Sequence, residues 1–544
     1  MGQTTFMLMV ITIISKIFGF VREAVMASYI GADEIKSIYT TANTLPVVVA
    51  NFVAVGIISG FIPIYNRAKN EQGIKEAEKL TSNIFNILMV FGAGALLIGL
   101  VFARPFSKIL SPDLDGYWLD LATNYTRIMM FAVFAYLYSA VFRGYLNIKG
   151  DFFNPAITGI IMNIIIITFT VFTGKTGNPY YLIVGALLGN VLQYILFPRA
   201  TRKAGYKHQK IIDFSNKYIR QLMIIALPVI ISSAAGEISI IVDNSMASAF
   251  FGKASIAKLF YAKTMLTLIT GVITVSVTTA LFPKIAELGQ AGKIDSMKNS
   301  ISSAVVTTMT LVIPATIGMI VLSKPIIELV FQRNAFTAED TIVVASLLST
   351  YAPFIIFQSI TDVVDRGFYA VGDSKTPVII VVIQQIINVI LNAVLINFFG
   401  LNGIAISTVI STFVGSCLMI YKFRDNFGSF KFRQTLISLG KIAIITAIMA
   451  FVASKIYGLT AGSMPHVVAI FVAIILAAIV YGFLILIARI PEVMELINSI
   501  YHRFFRKRKA QKHINPREAE HLEIPKKRKR SDAYTRKYEK IDRR

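Results

Sequence analysis

The chain has 544 residues, of which 55% are hydrophobic and only 15% charged, with 54 Lys or Arg against 30 Asp or Glu and a formal net charge of +24. A soluble globular domain is excluded by that balance, and most of the chain must lie in lipid. The single cysteine, Cys417, falls inside an apolar run, so neither a disulfide framework nor a cysteine-based metal site is open to the chain.

Apolar segments of about 20 residues recur along the sequence, each long enough to cross a hydrocarbon core roughly 30 Å thick. The expected spans are 5–30, 39–65, 80–103, 120–147, 154–173, 179–198, 221–249, 255–282, 300–323, 341–365, 377–399, 402–421, 436–458 and 465–489. The runs are continuous rather than alternating, which argues for helices and against a membrane β-barrel. No basic segment and small-residue cleavage site precede the first span, so it is expected to direct insertion itself. Connections after even-numbered spans are rich in Lys and Arg, as in Arg199, Arg202, Lys203, Lys207, Lys210, Lys217 and Arg220, whereas those after odd-numbered spans are not. The positive-inside rule therefore predicts cytoplasmic N- and C-termini in a multi-pass plasma-membrane protein.

An internal repeat appears at an offset of 220 residues. Met26-Ala27-Ser28 recurs as Met246-Ala247-Ser248, Glu23 aligns with Asp243, and Pro63 with Pro283. Further on the register slips, and Arg143-Gly144-Tyr145 aligns with Arg366-Gly367-Phe368. An even number of spans separates the copies, so both insert in the same sense. The expected architecture is an all-α polytopic membrane protein of 14 transmembrane helices. An N-lobe (1–210) and a pseudo-symmetric C-lobe (211–430) hold six spans each, and two extra spans follow (431–490). Residues 491–544 form a basic tail with Lys526-Lys527-Arg528-Lys529-Arg530 as its densest run. That tail cannot build a core, and it is expected to lie at the anionic inner leaflet. It carries no aromatic-interleaved platform, so nucleic acid is not expected as a partner.

Charge inside a span costs at least a few kcal/mol if it faces lipid. At 100° per residue, Ser15, Lys16, Gly19, Arg22 and Glu23 share one face of the first span. Ser233, Gly236, Glu237, Asp243 and Asn244 form the corresponding face of the seventh, and Lys263, Thr267, Thr270 and Thr274 a stripe on the eighth. These faces are expected to look at one another across a wet cavity suited to an anionic group, with Glu23 and Asp243 either as a lobe-to-lobe gate or in internal ion pairs with Arg22 or Lys263. Span eleven offers Gln384, Gln385, Asn388 and Asn392 and span twelve Ser407 and Thr408, either as interhelical hydrogen-bonding groups or, with Asp243, as an oxygen cage for Na⁺. Enzyme signatures are lacking. Gly174-Lys175-Thr176 mimics the end of a P-loop but Phe169 stands where its first glycine belongs, and neither HExxH nor GxSxG occurs. A transporter without ATPase activity is expected, drawing on an ion gradient or on the membrane potential at about 2.3 kcal/mol per charge per 100 mV.

The run from Ser15 to Glu23, with Gly31-Ala32, Leu45-Pro46 and Phe61-Ile62-Pro63, resembles the opening of the MurJ (MviN) lipid II flippase family of the multidrug/oligosaccharidyl-lipid/polysaccharide exporter superfamily. Phe368-Tyr369-Ala370, Asp373 and Lys375-Thr376-Pro377 resemble its tenth-span signature, and the likeness extends over about 5–489. The resemblance implies a flippase that moves undecaprenyl-pyrophosphate-linked peptidoglycan precursor to the outer leaflet by alternating access. It places Lys16, Arg22, Lys263 and Arg366 at substrate-binding positions, and Asp243, Asn388, Asn392 and Thr408 near an optional Na⁺ site, no cofactor being required. It also implies a lipid-tail groove beside the last two spans, a monomer, and cell-wall synthesis proteins as neighbours. The family's usual Arg is Lys at 16 and 263; Ala50, Asn51 and Val55 replace an Arg pair and a Glu; Ser37 and Asn392 replace acidic residues. Other readings are a flippase for a different lipid-linked polysaccharide, a cation-coupled drug exporter with a neutral or acidic cavity, and a membrane scaffold acting through its basic tail.

Overall fold

The computed structural model describes residues 2–429 and 431–494, and every regular element among them is helical. In lipid a backbone can satisfy its own polar groups only within helices or closed barrels, so the apolar runs become rods. The first half of the chain holds α1 (Gly2–Ile30), α2 (Glu34–Gln72), α3 (Ile74–Val101), α4 (Ala103–Leu110), α5 (Gly116–Met130), α6 (Ala132–Ile148), α7 (Phe153–Thr176), α8 (Tyr180–Leu192) and α9 (Phe197–Lys203). The second half holds α10 (Lys217–Phe251), α11 (Ser255–Ile269), a π-helical turn at Thr270–Thr274, α12 (Val275–Gln290), α13 (Ile294–Val321), α14 (Ser323–Phe331), α15 (Ala338–Tyr351), α16 (Phe354–Ala370), α17 (Lys375–Phe399) and α18 (Asn402–Phe427). Then come α19 (Phe432–Thr460) and α20 (His466–Ile487).

Among the described residues, 11 helical segments are long and apolar enough to cross a membrane. They coincide with the expected spans except the first, second and eighth, which are the helical α1, α2 and α11–α12. Residues up to Ala488 form one compact unit. The chain from Arg489 on is a second unit, and the densest basic run of the tail lies outside the described residues. Exposed Val467, Phe471, Ile475, Ile479 and Phe483 give α20 an apolar outer surface of the kind that faces lipid.

Packing follows the repeat. In the first half α1 lies on α7 and α2 on α3, α5 and α6; in the second α11 lies on α15, α13 on α16, and α18 on α15, α16 and α17. Helices α19 and α20 pack on each other, α19 also on α13 and α20 on α14. Two buried cores sit mainly in the first half, around Tyr145 and around Tyr125, and a third fills the second half and takes in Ala27 and Ala32.

The halves meet along α2 and α10, which also packs on α17. Gly56 and Gly60, one turn apart, let these helices approach closely: a Cβ at 56 would stand 2.7 Å from Ala226 Cβ, and one at 60 would stand 2.5 Å from Leu222 Cδ1. Gly56→Val is expected to force the pair apart at a cost of about 1–3 kcal/mol, read as a lower melting temperature in detergent.

Each end of the interface is tied. At one, Gly31 turns the chain from α1 to α2 with a positive φ of 82°. Tyr261 Oη donates to its carbonyl at 3.1 Å, the Ala257 amide to Ser37 Oγ at 3.0 Å, and the Ala335 amide to the Ser28 carbonyl at 3.1 Å. At the other, Glu71 accepts from Arg67 at 2.7 Å in its own helix, and from Lys217 Nζ at 2.9 Å and Tyr218 Oη at 3.0 Å at the start of α10. The bonds from Arg67 and Lys217 hold its carboxyl down at about 2, so this tie persists across the neutral range.

Candidate functional site

The polar face of α1 does meet those of α10 and α11. Lys16, Gly19, Arg22 and Glu23 line a cavity of about 590 Å³ whose other walls include Asn43 of α2, Glu237 and Asn244 of α10, and Lys263 of α11. A second cavity of about 500 Å³ shares Glu237, Lys263 and Thr267 with the first and reaches Gln384, Asn388 and Thr408 on α17 and α18. Three cations face two carboxylates on the lining of the first cavity, which is therefore net positive by one.

The carboxylates are not bridges between the halves. Glu23 pairs with Arg22 at 2.6 Å beside it and with Lys36 at 2.8 Å on α2, while Asp243 pairs with Lys263 at 2.8 Å on α11. In place of a lobe-to-lobe gate at Glu23 and Asp243, the alternative of internal ion pairs is found, two on Glu23 in the first half and one on Asp243 in the second. The repeat helps explain why: each acid lies on the first helix of its half, and a lysine on the next helix, 13 or 20 residues further on, reaches it.

Lys36 is the residue the sequence reading missed. It was placed in a connection ahead of the second span, yet its side chain is wholly buried. Its Nζ lies 2.8 Å from Glu23 Oε2 and 2.9 Å from Met26 Sδ, over the rings of Phe260 at 4.2 Å, Tyr261 at 5.1 Å and Tyr39 at 5.2 Å. Two of those rings come from α11, so the contact between the halves at this point is cation over aromatic face rather than charge on charge. The available signal was an acidic residue in a span with no cation at helical spacing able to satisfy it except its immediate neighbour.

Lys16 crosses between the halves, donating from Nζ to the Gly271 carbonyl at 2.6 Å. Gly271 belongs to the π-helical turn, where the change of hydrogen-bond register frees carbonyls for other donors. Lys16 therefore keeps its charge uncompensated by any carboxylate among the described residues. Arg22 and Lys36 share the single Glu23, so that group also carries net positive charge.

Arg366 is not brought to either cavity. It sits on α16 with Asp365 at 3.7 Å and its guanidinium 5.3 Å from the ring of Phe282. Two positions where the sequence departs from the family pattern form bonds between the halves: Ser37 to Ala257, as above, and Asn51, whose Nδ2 donates to Glu237 at 2.7 Å.

The four residues considered for Na⁺ do cluster, but not as a cation cage. Asp243 Oδ2 accepts from Lys263, and Oδ1 from Asn392 Nδ2 at 2.7 Å. Asn388 Oδ1 accepts from Ser239 at 2.8 Å, and its Nδ2 donates to Thr408 at 3.3 Å. Only Asn392 Oδ1 is left over, buried and without a partner. An ammonium already neutralises the carboxylate that a sodium ion would need, so these residues do not fit the ion in this arrangement. Equal concentrations of NaCl and KCl are accordingly expected to give the same melting temperature; a sodium-specific rise would show the opposite.

A third cavity of about 350 Å³ lies among α13, α14, α19 and α20, lined by aliphatic side chains such as Leu311, Ile326, Met449 and Ile474. The hydroxyl of Tyr481 in its wall is spent on the Thr310 carbonyl at 2.7 Å, which leaves the surface apolar.

Residues 26–477 match the family model described as lipid II flippase MurJ. A probable lipid II flippase MurJ of Rhizobium meliloti (strain 1021) is 26% identical over 426 residues, covering 75% of this chain and 78% of that protein. One from Bdellovibrio bacteriovorus is 25% identical over 479 residues, covering 86% and 91%. Among solved structures, a lipid II flippase MurJ in an inward closed conformation superposes with a TM-score of 0.76 at 24% identity over 92% of this chain and 99% of its own. An inward-facing multidrug MATE transporter superposes with a TM-score of 0.63 at 15% identity over 76% and 94%. At those identities the two structures speak for the fold alone.

Proposed function

The chain belongs to the lipid II flippase MurJ family, and from that premise we propose that it carries undecaprenyl-pyrophosphate-linked peptidoglycan precursor from the inner to the outer leaflet. It is a multi-pass membrane transporter and not an enzyme. The observation that carries the reading is the net-positive cavity between the halves, with Lys16, Arg22 and Lys263 on its wall. A pyrophosphate needs such cations, and a cationic drug is repelled by them. The apolar groove of α13, α14, α19 and α20 suits the polyprenyl tail, which can stay in lipid while the head group crosses.

In this reading the halves act as two lobes that alternately part at the Gly31 end and at the Glu71 end, with both termini in the cytoplasm. Arg22 and Lys263 hold the pyrophosphate, Lys16 steers it, and Arg366 acts from outside the cavity. The protein works as a monomer beside the enzymes that use its product, and its basic tail lies on the anionic leaflet. The membrane potential suffices to drive a polyanion outward, and no sodium step is invoked. The test is to deplete the resident flippase of a bacterial host, supply this chain, and ask whether labelled precursor becomes accessible on the outer face. Restored labelling supports the reading, and its absence despite normal membrane insertion refutes it.

A further inference from the structure

Beside the main cavity the first half holds a smaller one of about 190 Å³, lined by Asn51, Tyr136, Ser139, Arg143 and Tyr194 and by the aliphatic side chains of Val47, Ala50, Ala54 and Ala140. Val47 lines both cavities, and Asn51 reaches from the smaller one to Glu237 of the larger, so the two adjoin. No carboxylate among the described residues lines the smaller one.

Its one charge is Arg143 on α6. Nη2 makes a long 3.3 Å bond to Thr158 Oγ1, Nε is buried without a partner, and no carboxylate among the described residues pairs with the guanidinium. The repeat shows that this is a departure from symmetry. The aligned arginine, Arg366, also has an unbonded Nε, but Asp365 stands 3.7 Å from it and Asp362 three residues further back on the same helix. At the aligned positions the first half has Phe142 and Ser139. One half balances its arginine with acids; the other sets it bare in a cavity. A half-buried guanidinium without a counter-charge is costly, and its planar fork matches the oxygens of a carboxylate or phosphate.

We infer that the Arg143 pocket is a second anion subsite, which takes a carboxylate of the substrate head group while the main cavity holds its pyrophosphate. The inference rests on the flippase reading above. Arg143 stands in a different cavity from Lys16, Arg22 and Lys263, and the two cavities share Val47 in their walls, so one large anionic head group spans both sites.

Binding of two ligands to the detergent-solubilised full chain tests it: the complete lipid-linked precursor, with its peptide carboxylates, and undecaprenyl pyrophosphate, which lacks the glycan and peptide. Arg143→Gln is expected to weaken the precursor by about ten- to hundredfold, as for loss of a hydrogen bond to a charged group, and Arg143→Lys by less. If undecaprenyl pyrophosphate is unaffected, the ligand is a head-group carboxylate, as inferred; if it weakens equally, Arg143 grips the pyrophosphate itself and the two-site assignment is overturned. Unchanged affinity of Arg143→Gln for both, while Arg22→Ala weakens both, overturns the subsite and leaves the flippase reading standing. A wild-type chain that binds neither ligand overturns that reading and the subsite with it.

Discussion

Arg22→Ala is expected to abolish flipping while the protein stays at its normal level in the membrane. Arg22 is the only guanidinium among the described residues of the cavity wall, because Lys stands at 16 and 263 and supplies point charge alone. Removing a buried, hydrogen-bonded charge from one side of a recognition pair costs about 2–5 kcal/mol, or roughly thirtyfold to several thousandfold in affinity. The fold should survive, because Glu23 keeps its bond to Lys36 when Arg22 goes. Lys263→Ala is expected to abolish flipping too, but it is a less clean experiment. That change strands Asp243, a nearly buried carboxylate, with no cation, so lost activity would mix binding with instability. Full outward labelling of precursor by Arg22→Ala in depleted cells would sink the assignment of the cavity.

Much of the fold was legible because a membrane imposes simple rules. Continuous apolar runs must be helices, and the repeat of Met26-Ala27-Ser28 as Met246-Ala247-Ser248 makes α1 and α10 counterparts on sequence grounds alone. The stripe of Lys16, Arg22 and Glu23 likewise had to face something polar, and it lines the largest of the cavities described. What the pattern could not convey is which charges pair. Helical periodicity fixes the direction of a side chain but not the depth of its neighbour, and the Lys36 ammonium reaches Glu23 from 13 residues away across a turn. Periodicity also gave no warning that Gly271 lies in a π-helical turn, whose altered register brings its carbonyl to Lys16. Arg366 shows a converse limit: a family position can be matched by residue type, yet the side chain lies on α16 against Phe282, away from the cavity. Arg143 was visible only as half of a repeat signature: Phe142 and Ser139 already mark the missing acids, but that the arginine lines a cavity shows only in space.

Lys36→Met is expected to cost about 3–5 kcal/mol of stability, the range for breaking a buried ion pair by removing one partner. The cost arises from what is left behind. Glu23 is 2% exposed, and without Lys36 its buried Oε2 loses the donor that satisfies it. The cation also loses attraction to three ring faces, worth about 2 kcal/mol or more when desolvated. Lys36 is the third residue of α2, where the helix dipole disfavours positive charge, so nothing but Glu23 and the rings can explain an ammonium held there. The double variant Lys36→Met with Glu23→Gln should recover most of the loss, since it removes both buried charges and leaves Arg22 an amide oxygen to donate to. With the wild type and Glu23→Gln alone, the melting curves form a double-mutant cycle, and a coupling near zero would mean that the two residues do not depend on each other. The double variant also separates stability from transport. If it melts like the wild type yet flips slowly, the ammonium stacked on Phe260 and Tyr261 of α11 sets how readily the halves part at the Gly31 end; if it flips at the normal rate, the triad only holds α1 and α2 together.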